Sequence, residues 1–180
     1  MSFLKAALGT AVVLGLVLVL GGLLLPGTTR VERELYIDRS PETVFATVNS
    51  FAQFNEWSPW SGVDPDTEYS YSGPVAGEGA RMTWAGNATV GTGSQQILVS
   101  RPASEVVTAI DFGGSQATGT LSLVEAGQGS QVSWAISSDH GYNPLHRWFG
   151  ALLLERMIGP DLERGLGRLK SLLETAPTQQ

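Results

Sequence analysis

The sequence predicts an α+β protein: a curved antiparallel β-sheet wrapped around a long C-terminal α-helix, preceded by an N-terminal transmembrane helix. Three observations predict it. Ala6 to Leu25 is an unbroken uncharged apolar run. From Thr67 to Ser137, short segments alternate apolar and polar residues and are separated by glycine-rich turns. From Leu145 onward the apolar residues recur at helical spacing.

The first run, AALGTAVVLGLVLVLGGLLL, follows Lys5 and ends at Pro26-Gly27. Twenty helical residues rise about 30 Å, the hydrocarbon thickness of a bilayer. The run has no polar face, which argues against a core helix of a soluble protein. A cleaved signal is the alternative, but Leu23-Leu24-Leu25-Pro26-Gly27 offers no small-x-small cleavage site and the chain has no cysteine for a lipoprotein signal. The expectation is a retained single-pass anchor over residues 1–27, in a membrane such as the bacterial inner membrane. Lys5 on one side and Arg30 and Arg33 on the other leave the orientation open.

Arg30 to Ile37 alternates, with Val31, Leu35 and Ile37 on one face and Glu32 and Glu34 on the other, so it reads as a first strand. Ser40-Pro41-Glu42-Thr43 starts a helix, with Ser40 as N-cap and Pro41 at the first helical position. Asn49-Ser50 interrupts it, and a second short helix covers Phe51 to Trp57. A meander of strands follows over Thr67–Ser72, Gly79–Ala85, Ala88–Arg101, Ser104–Phe112, Gln116–Val124 and Ser130–Ser137. Glycines within it permit turns and sharp bends. Leu145, Trp148, Phe149, Leu152 and Leu153 then change the period to a helix. Gly159-Pro160 is expected to break or kink that helix. The stripe resumes through Leu162, Leu166, Leu169, Leu172 and Leu173. Residues 28–176 are expected to form one domain, and 177–180 a frayed polar tail.

Composition narrows the function. A net charge of −6 argues against nucleic acid as a partner. The absence of cysteine excludes disulfides, cysteine nucleophiles and thiolate metal sites. There is no nucleophile elbow, phosphate-binding loop or dinucleotide fingerprint, so no cofactor is expected.

Several short pieces recur in an order that carries more information than any one of them. They are Val31-Glu32-Arg33, Ser40-Pro41-Glu42-Thr43-Val44-Phe45, Trp57-Ser58-Pro59-Trp60 and Tyr71-Ser72-Gly73-Pro74. Then come Gly77-x-Gly79 with Met82-Thr83-Trp84-Ala85-Gly86-Asn87, Gly91-x-Gly93, and Met157-Ile158-Gly159-Pro160-Asp161-Leu162-Glu163-Arg164-Gly165-Leu166. In this order the chain resembles the SRPBCC (START-like, birch-pollen-allergen-like) superfamily, in its polyketide cyclase/dehydrase and lipid-transport branch. The resemblance implies a helix-grip fold with a cavity between sheet and long helix. It implies no single activity, because that fold hosts carriers, cyclases, hormone receptors and chaperone co-factors.

In the related fold, Trp57 and Trp60 lie near the cavity mouth. An indole pair there would suit an apolar ligand, although either ring could equally cap the core. Tyr71, Met82, Trp84, Trp134 and Phe149 are the candidates for cavity lining. Arg81, Arg101 and Arg156 are cations that could hold an acidic group if buried. Asp139-His140 and His146 could make a general base, but their spacing fits no metal motif. No catalytic residue is assigned.

The leading expectation is a membrane-anchored, non-catalytic module that binds an apolar small molecule or lipid. A cyclase/dehydratase-type enzyme using polar groups in the same cavity is the alternative, discriminated by whether Asp139, His140, Arg156 or Tyr71 reaches the cavity. A ligand-free partner-binding module is the third.

Overall fold

The computed structural model describes residues 2–175. The polar tail expected at 177–180, and residue 176 at the expected domain end, lie outside the described residues.

Helix α1 (Ser2–Leu24) precedes strand β1 (Thr28–Ile37), helices α2 (Pro41–Val48) and α3 (Phe51–Trp57), and strands β2 (Glu68–Ser72) and β3 (Arg81–Ala85). Strands β4 (Thr92–Arg101), β5 (Glu105–Asp111), β6 (Gln116–Ala126) and β7 (Gly129–Asp139) complete one antiparallel sheet. The chain ends in α4 (Pro144–Phe149), a π-helical turn (Gly150–Leu154) and α5 (Glu155–Thr175). Strand order is β1-β7-β6-β5-β4-β3-β2, so α2 and α3 carry the chain from one sheet edge to the other. The register slips between Ile97 and Val99, a bulge that bends β4.

Local chemistry sets the short helices. The Ser40 hydroxyl accepts from the Thr43 N–H at 3.4 Å, with Pro41 in the first turn. Asn143 caps α4 in the same way, accepting from the Leu145 and His146 N–H groups ahead of Pro144. The strand expected from Ala88 begins later, at Thr92. The Asn87 side chain accepts from the Thr89 and Val90 N–H groups and holds 88–90 in a turn. Strand β3 likewise begins at Arg81 rather than Gly79.

The helix is not broken at Gly159-Pro160: α5 runs through both residues, and the irregular turn lies upstream at Gly150–Leu154. A mid-helix proline costs roughly 3 kcal/mol. Pro160 lies on the exposed face, where water can take the carbonyl it leaves unpaired. On the opposite face Leu162, Leu166 and Leu169 are fully buried, each contributing about 1.5–3 kcal/mol.

Two glycines of α5 allow the helix to sit close to the sheet. Arg33 points inward from β1, and its guanidinium meets Glu155 at 2.5 Å and Glu163 at 2.6 Å. It lies over Gly159, where a Cβ would come within 2.3 Å of Nη2. One and a half turns on, the Trp134 indole of β7 packs on Gly165, where a Cβ would stand 2.4 Å from the ring. At the far end, the Glu174 carboxylate accepts from the Asp38 N–H at 2.8 Å, which holds its pKa below the ordinary value.

Helix α1 stands apart from this core. Only about its last turn is covered, where Gly21 and Gly22 meet Trp148 and Pro144 of α4. The window Ala7–Leu24 has a mean hydropathy of 2.5 and is almost wholly exposed.

Gly165→Ala is expected to destabilise the protein by about 1–3 kcal/mol in urea denaturation, because the Trp134 ring cannot retreat from the new methyl. A second expectation concerns pH. The His140 Nε2 lies 3.0 Å from the Thr29 hydroxyl, and burial, followed by the nearby His146, lowers its pKa from 6.5. The unfolded chain therefore binds more protons below that value, so stability is whole above it and is lost as pH falls. Melting temperature should drop between about pH 7 and pH 5.5, and the drop should be smaller in His140→Gln.

Candidate functional site

Between the sheet and α5 lies a cavity of about 490 Å³. Its size follows from the two close contacts just described. Helix α5 touches the sheet along β1 and β7, while the sheet curls away toward β2–β5 and leaves a gap. Met82, Gln95 and Ile110 face that gap as cross-strand neighbours on β3, β4 and β5. In the adjacent row Trp84 pairs with Gly93. A Cβ at Gly93 would fall 2.2 Å from the Trp84 ring, so its absence lets the indole lie across β4 and meet Phe112 edge-on at 6.0 Å.

Trp134 and Ile136 of β7 form the inner wall, and Phe54, Pro59 and Trp60 the wall beside α3. Trp134 meets Trp57 at 5.1 Å and Trp60 at 5.8 Å, both edge-on. Edge-to-face geometry fixes these rings relative to one another. The mouth is ringed by Val63, Thr89, Met157 and Arg164, all exposed.

Polar groups gather on one side. The Trp60 indole N–H donates to Asp161 Oδ2 at 3.1 Å, and Arg164 pairs with the other oxygen of the same carboxylate. Arg168 donates to the Ser58 carbonyl at 2.6 Å. These contacts hold the Ser58–Val63 connection against α5 and define that lip of the mouth. Deeper in, the Gln95 amide donates to the Thr108 hydroxyl at 2.9 Å. Tyr69 also lines the cavity, and burial, with Tyr71 and Asp64 nearby, pushes its phenol above 10. It is a neutral hydrogen-bonding group at physiological pH.

Of the seven residues expected at a ligand, Trp60, Met82, Trp84 and Trp134 stand on the cavity wall. Trp57 does not: it is fully buried one layer behind, against Phe54 and Trp134. It acts as a backstop, and its indole N–H finds no oxygen or nitrogen partner among the described residues. Tyr71 shares the inner face of β2 with Tyr69 and stands opposite Met82, but at the open sheet edge it is half exposed and reaches the cavity wall through Asn55, whose amide donates to its hydroxyl at 3.1 Å. Phe149 lies outside the wall, exposed on the segment that meets α1. Its spacing placed it on an apolar helical face, but that face is not the one turned to the sheet.

Asp139, His140, Arg156 and Arg81 do not line the cavity, and Arg101 pairs with Glu105 on the surface. Among the described residues no three His, Asp or Glu side chains gather as a metal site. Sequence reasoning missed Tyr69, Gln95, Asp161 and Arg164. Tyr69 and Gln95 were legible in principle, Tyr69 by sharing a face with Tyr71 and Gln95 by being in phase with the buried Ile97. Asp161 was not, since its role depends on Trp60 reaching across from another element.

The sequence of residues 28–174 matches the family described as polyketide cyclase / dehydrase and lipid transport. The chain belongs to this family. It is the branch of the SRPBCC superfamily whose helix-grip architecture the sheet and α5 display. Solved structures agree at the level of fold. A Staphylococcus aureus protein of unknown function is 17% identical with a TM-score of 0.64, over 84% of this chain and 97% of its own. The KanY protein is 18% identical at 0.60, over 83% and 99%. The di-domain ARO/CYC StfQ of the steffimycin biosynthetic pathway is 13% identical at 0.58, over 82% of this chain and 51% of StfQ. No curated protein matches the sequence.

Asp161→Ala leaves the buried edge of Trp60 without its acceptor and frees Arg164. The expected cost is about 1 kcal/mol in urea denaturation, with Arg164→Ala alone costing less because its side chain is exposed.

Proposed function

We propose that this chain is a membrane-anchored binding module that holds an apolar small molecule or lipid in the cavity between sheet and α5. The observation that carries this reading is the wall itself. Helices α3 and α5 and strands β2, β3, β5 and β7 all contribute aromatic or aliphatic side chains to the 490 Å³ space, β4 contributes the neutral Gln95, and the charged groups Asp161 and Arg164 sit together on the side of the mouth. A cavity of this volume falls within the roughly 300–1,000 Å³ of small-molecule sites, and the division into a greasy interior and one polar edge suits an amphipath. Trp60, Met82, Trp84 and Trp134 contact the apolar part, Gln95 and Tyr69 offer interior hydrogen bonds, and Asp161 with Arg164 faces the polar end. Membership of a family associated with hydrophobic ligands supports the same reading. The segment 1–27, built on helix α1, anchors the domain in a membrane as a single span; the length, uniform apolarity and exposure of α1 support retention there.

A cyclase/dehydratase-type activity is the second reading. It is favoured by one observation, that a phenol (Tyr69) and a carboxylate (Asp161) both line the cavity and could move a proton. The ARO/CYC neighbour points the same way only by fold.

The test uses the full chain in phosphatidylcholine nanodiscs with a fluorescent fatty acid. Uptake should saturate, and Ile110→Trp, which fills the cavity from β5, should weaken it at least tenfold, about 1.4 kcal/mol. Uptake that is absent, or indifferent to Ile110→Trp, would sink the carrier reading.

A further inference from the structure

Outside α1, thirteen large apolar side chains are exposed among the described residues, and six of them fall within residues 142–157. They are Tyr142, Leu145, Phe149, Leu152, Leu153 and Met157. The sheet face and the rest of α5 show no such concentration. This segment is also the part of the domain that touches α1. The Trp148 indole N–H donates to the Leu18 carbonyl at 2.9 Å and packs on Gly21, and Pro144 packs on Gly22. Arg147 donates to the Leu23 and Leu25 carbonyls, at 2.9 and 3.1 Å, and so caps the C-terminal end of α1.

We infer that Pro144–Leu154 is an interfacial helix, lying in the bilayer surface from which α1 emerges and setting the cavity mouth against the lipid. The inference rests on the reading of α1 as a span. Depth supports it. Leu18 lies six residues before the end of α1 at Leu24, about 9 Å along the helix axis. Interfacial helices sit about 5–10 Å into the headgroup and acyl boundary. Trp148 therefore meets α1 at the level where aromatic anchors collect, with Tyr142 one loop away. Charge supports it too. In an acidic chain, residues 142–157 carry Arg147 and Arg156 against the single acid Glu155, which is engaged by Arg33. That local balance suits lipid phosphates.

The segment is held rigidly enough to act as a foot. Leu154 is buried in the core, and Gly150 packs against His140 and Thr29 at the start of β1. Its apolar face runs without interruption to Met157, which is itself a lip of the cavity mouth. An apolar ligand leaving the bilayer would cross lipid-facing side chains into the cavity without passing through water. A second copy of the chain could cover the same face, but it would have to compete with the lipid already surrounding α1.

The chain has no cysteine, so single reporters can be placed at will. Leu145→Cys, Phe149→Cys and Leu152→Cys, each labelled with an environment-sensitive fluorophore, would be compared with Val13→Cys in α1 and Val124→Cys on β6. The full-length protein is reconstituted in vesicles of phosphatidylcholine and phosphatidylglycerol carrying nitroxide lipids. Labels on the segment should be quenched roughly two- to threefold more than Val124, and more by nitroxides high on the acyl chain than by those near its end. Val13 should show the reverse depth order. If Val13 is quenched deeply while the segment behaves like Val124, the interfacial helix is wrong and the anchor stands. If Val13 is not quenched, the anchor reading fails and the inference falls with it. Self-quenching at Leu145 that disappears on dilution with unlabelled protein would identify a second copy as the occupant and overturn the proposal.

Discussion

The contact between Trp134 and Gly165 sets the distance between sheet and closing helix, and the rest of the domain is arranged around that distance. A large flat ring on β7 meets a helical residue with no side chain, so α5 comes down onto the sheet along its β1–β7 side. Trp57 supports the ring from behind and Trp60 from the side, both edge-on. The same helix is drawn to the sheet edge by Arg33, whose two carboxylate partners lie two turns apart on α5 with Gly159 between them. Both contacts use a glycine of the helix; at Gly165 a side chain would run into the rigid Trp134 ring, whereas at Gly159 the flexible end of Arg33 would have to shift.

The cavity is the other side of that constraint. A helix pinned against one half of a curved sheet cannot also fill the space over the other half. The bulge in β4 and the missing side chain at Gly93 increase the curvature and leave room above β3–β5. Large aromatics then line the space without closing it, because Trp84 lies flat across Gly93 and does not stand into the interior. Closing it would take bulk on α5, and the residues that face it there are Met157, Ile158, Asp161 and Arg164, arranged toward the rim.

The polar edge and the apolar foot give the domain a direction. Asp161, Trp60 and Arg164 tie the connection after α3 to α5 on one side of the mouth. One turn before Asp161 on the same helix, Met157 leads into the exposed apolar side chains of the segment that meets α1. The π-helical turn at Gly150–Leu154 matters here. It widens one turn between α4, which contacts α1, and α5, which packs against β1.

Much of this was legible in the chain. Periodicity alone gave the strands, because a half-buried sheet imposes its two-residue repeat on the sequence. Ser40-Pro41 announced α2, because a helix start is satisfied locally by a cap and a fixed φ. The uniform apolar run at the N-terminus declared itself by length. What periodicity could not assign was which of two apolar faces turns inward when both are rich in large residues. Phe149 has the right residue type on the wrong side of a helix, Tyr71 is on the right face of β2 but at the open edge of the sheet, and Trp57 is right in position but buried one layer too deep. Nor could it show that Asp161 meets Trp60, since a contact between side chains 101 residues apart exists only once the helix has docked. Sequence settles what each segment can bury; only the packed structure decides against what, because burial is a property shared by two surfaces and the sequence writes them separately.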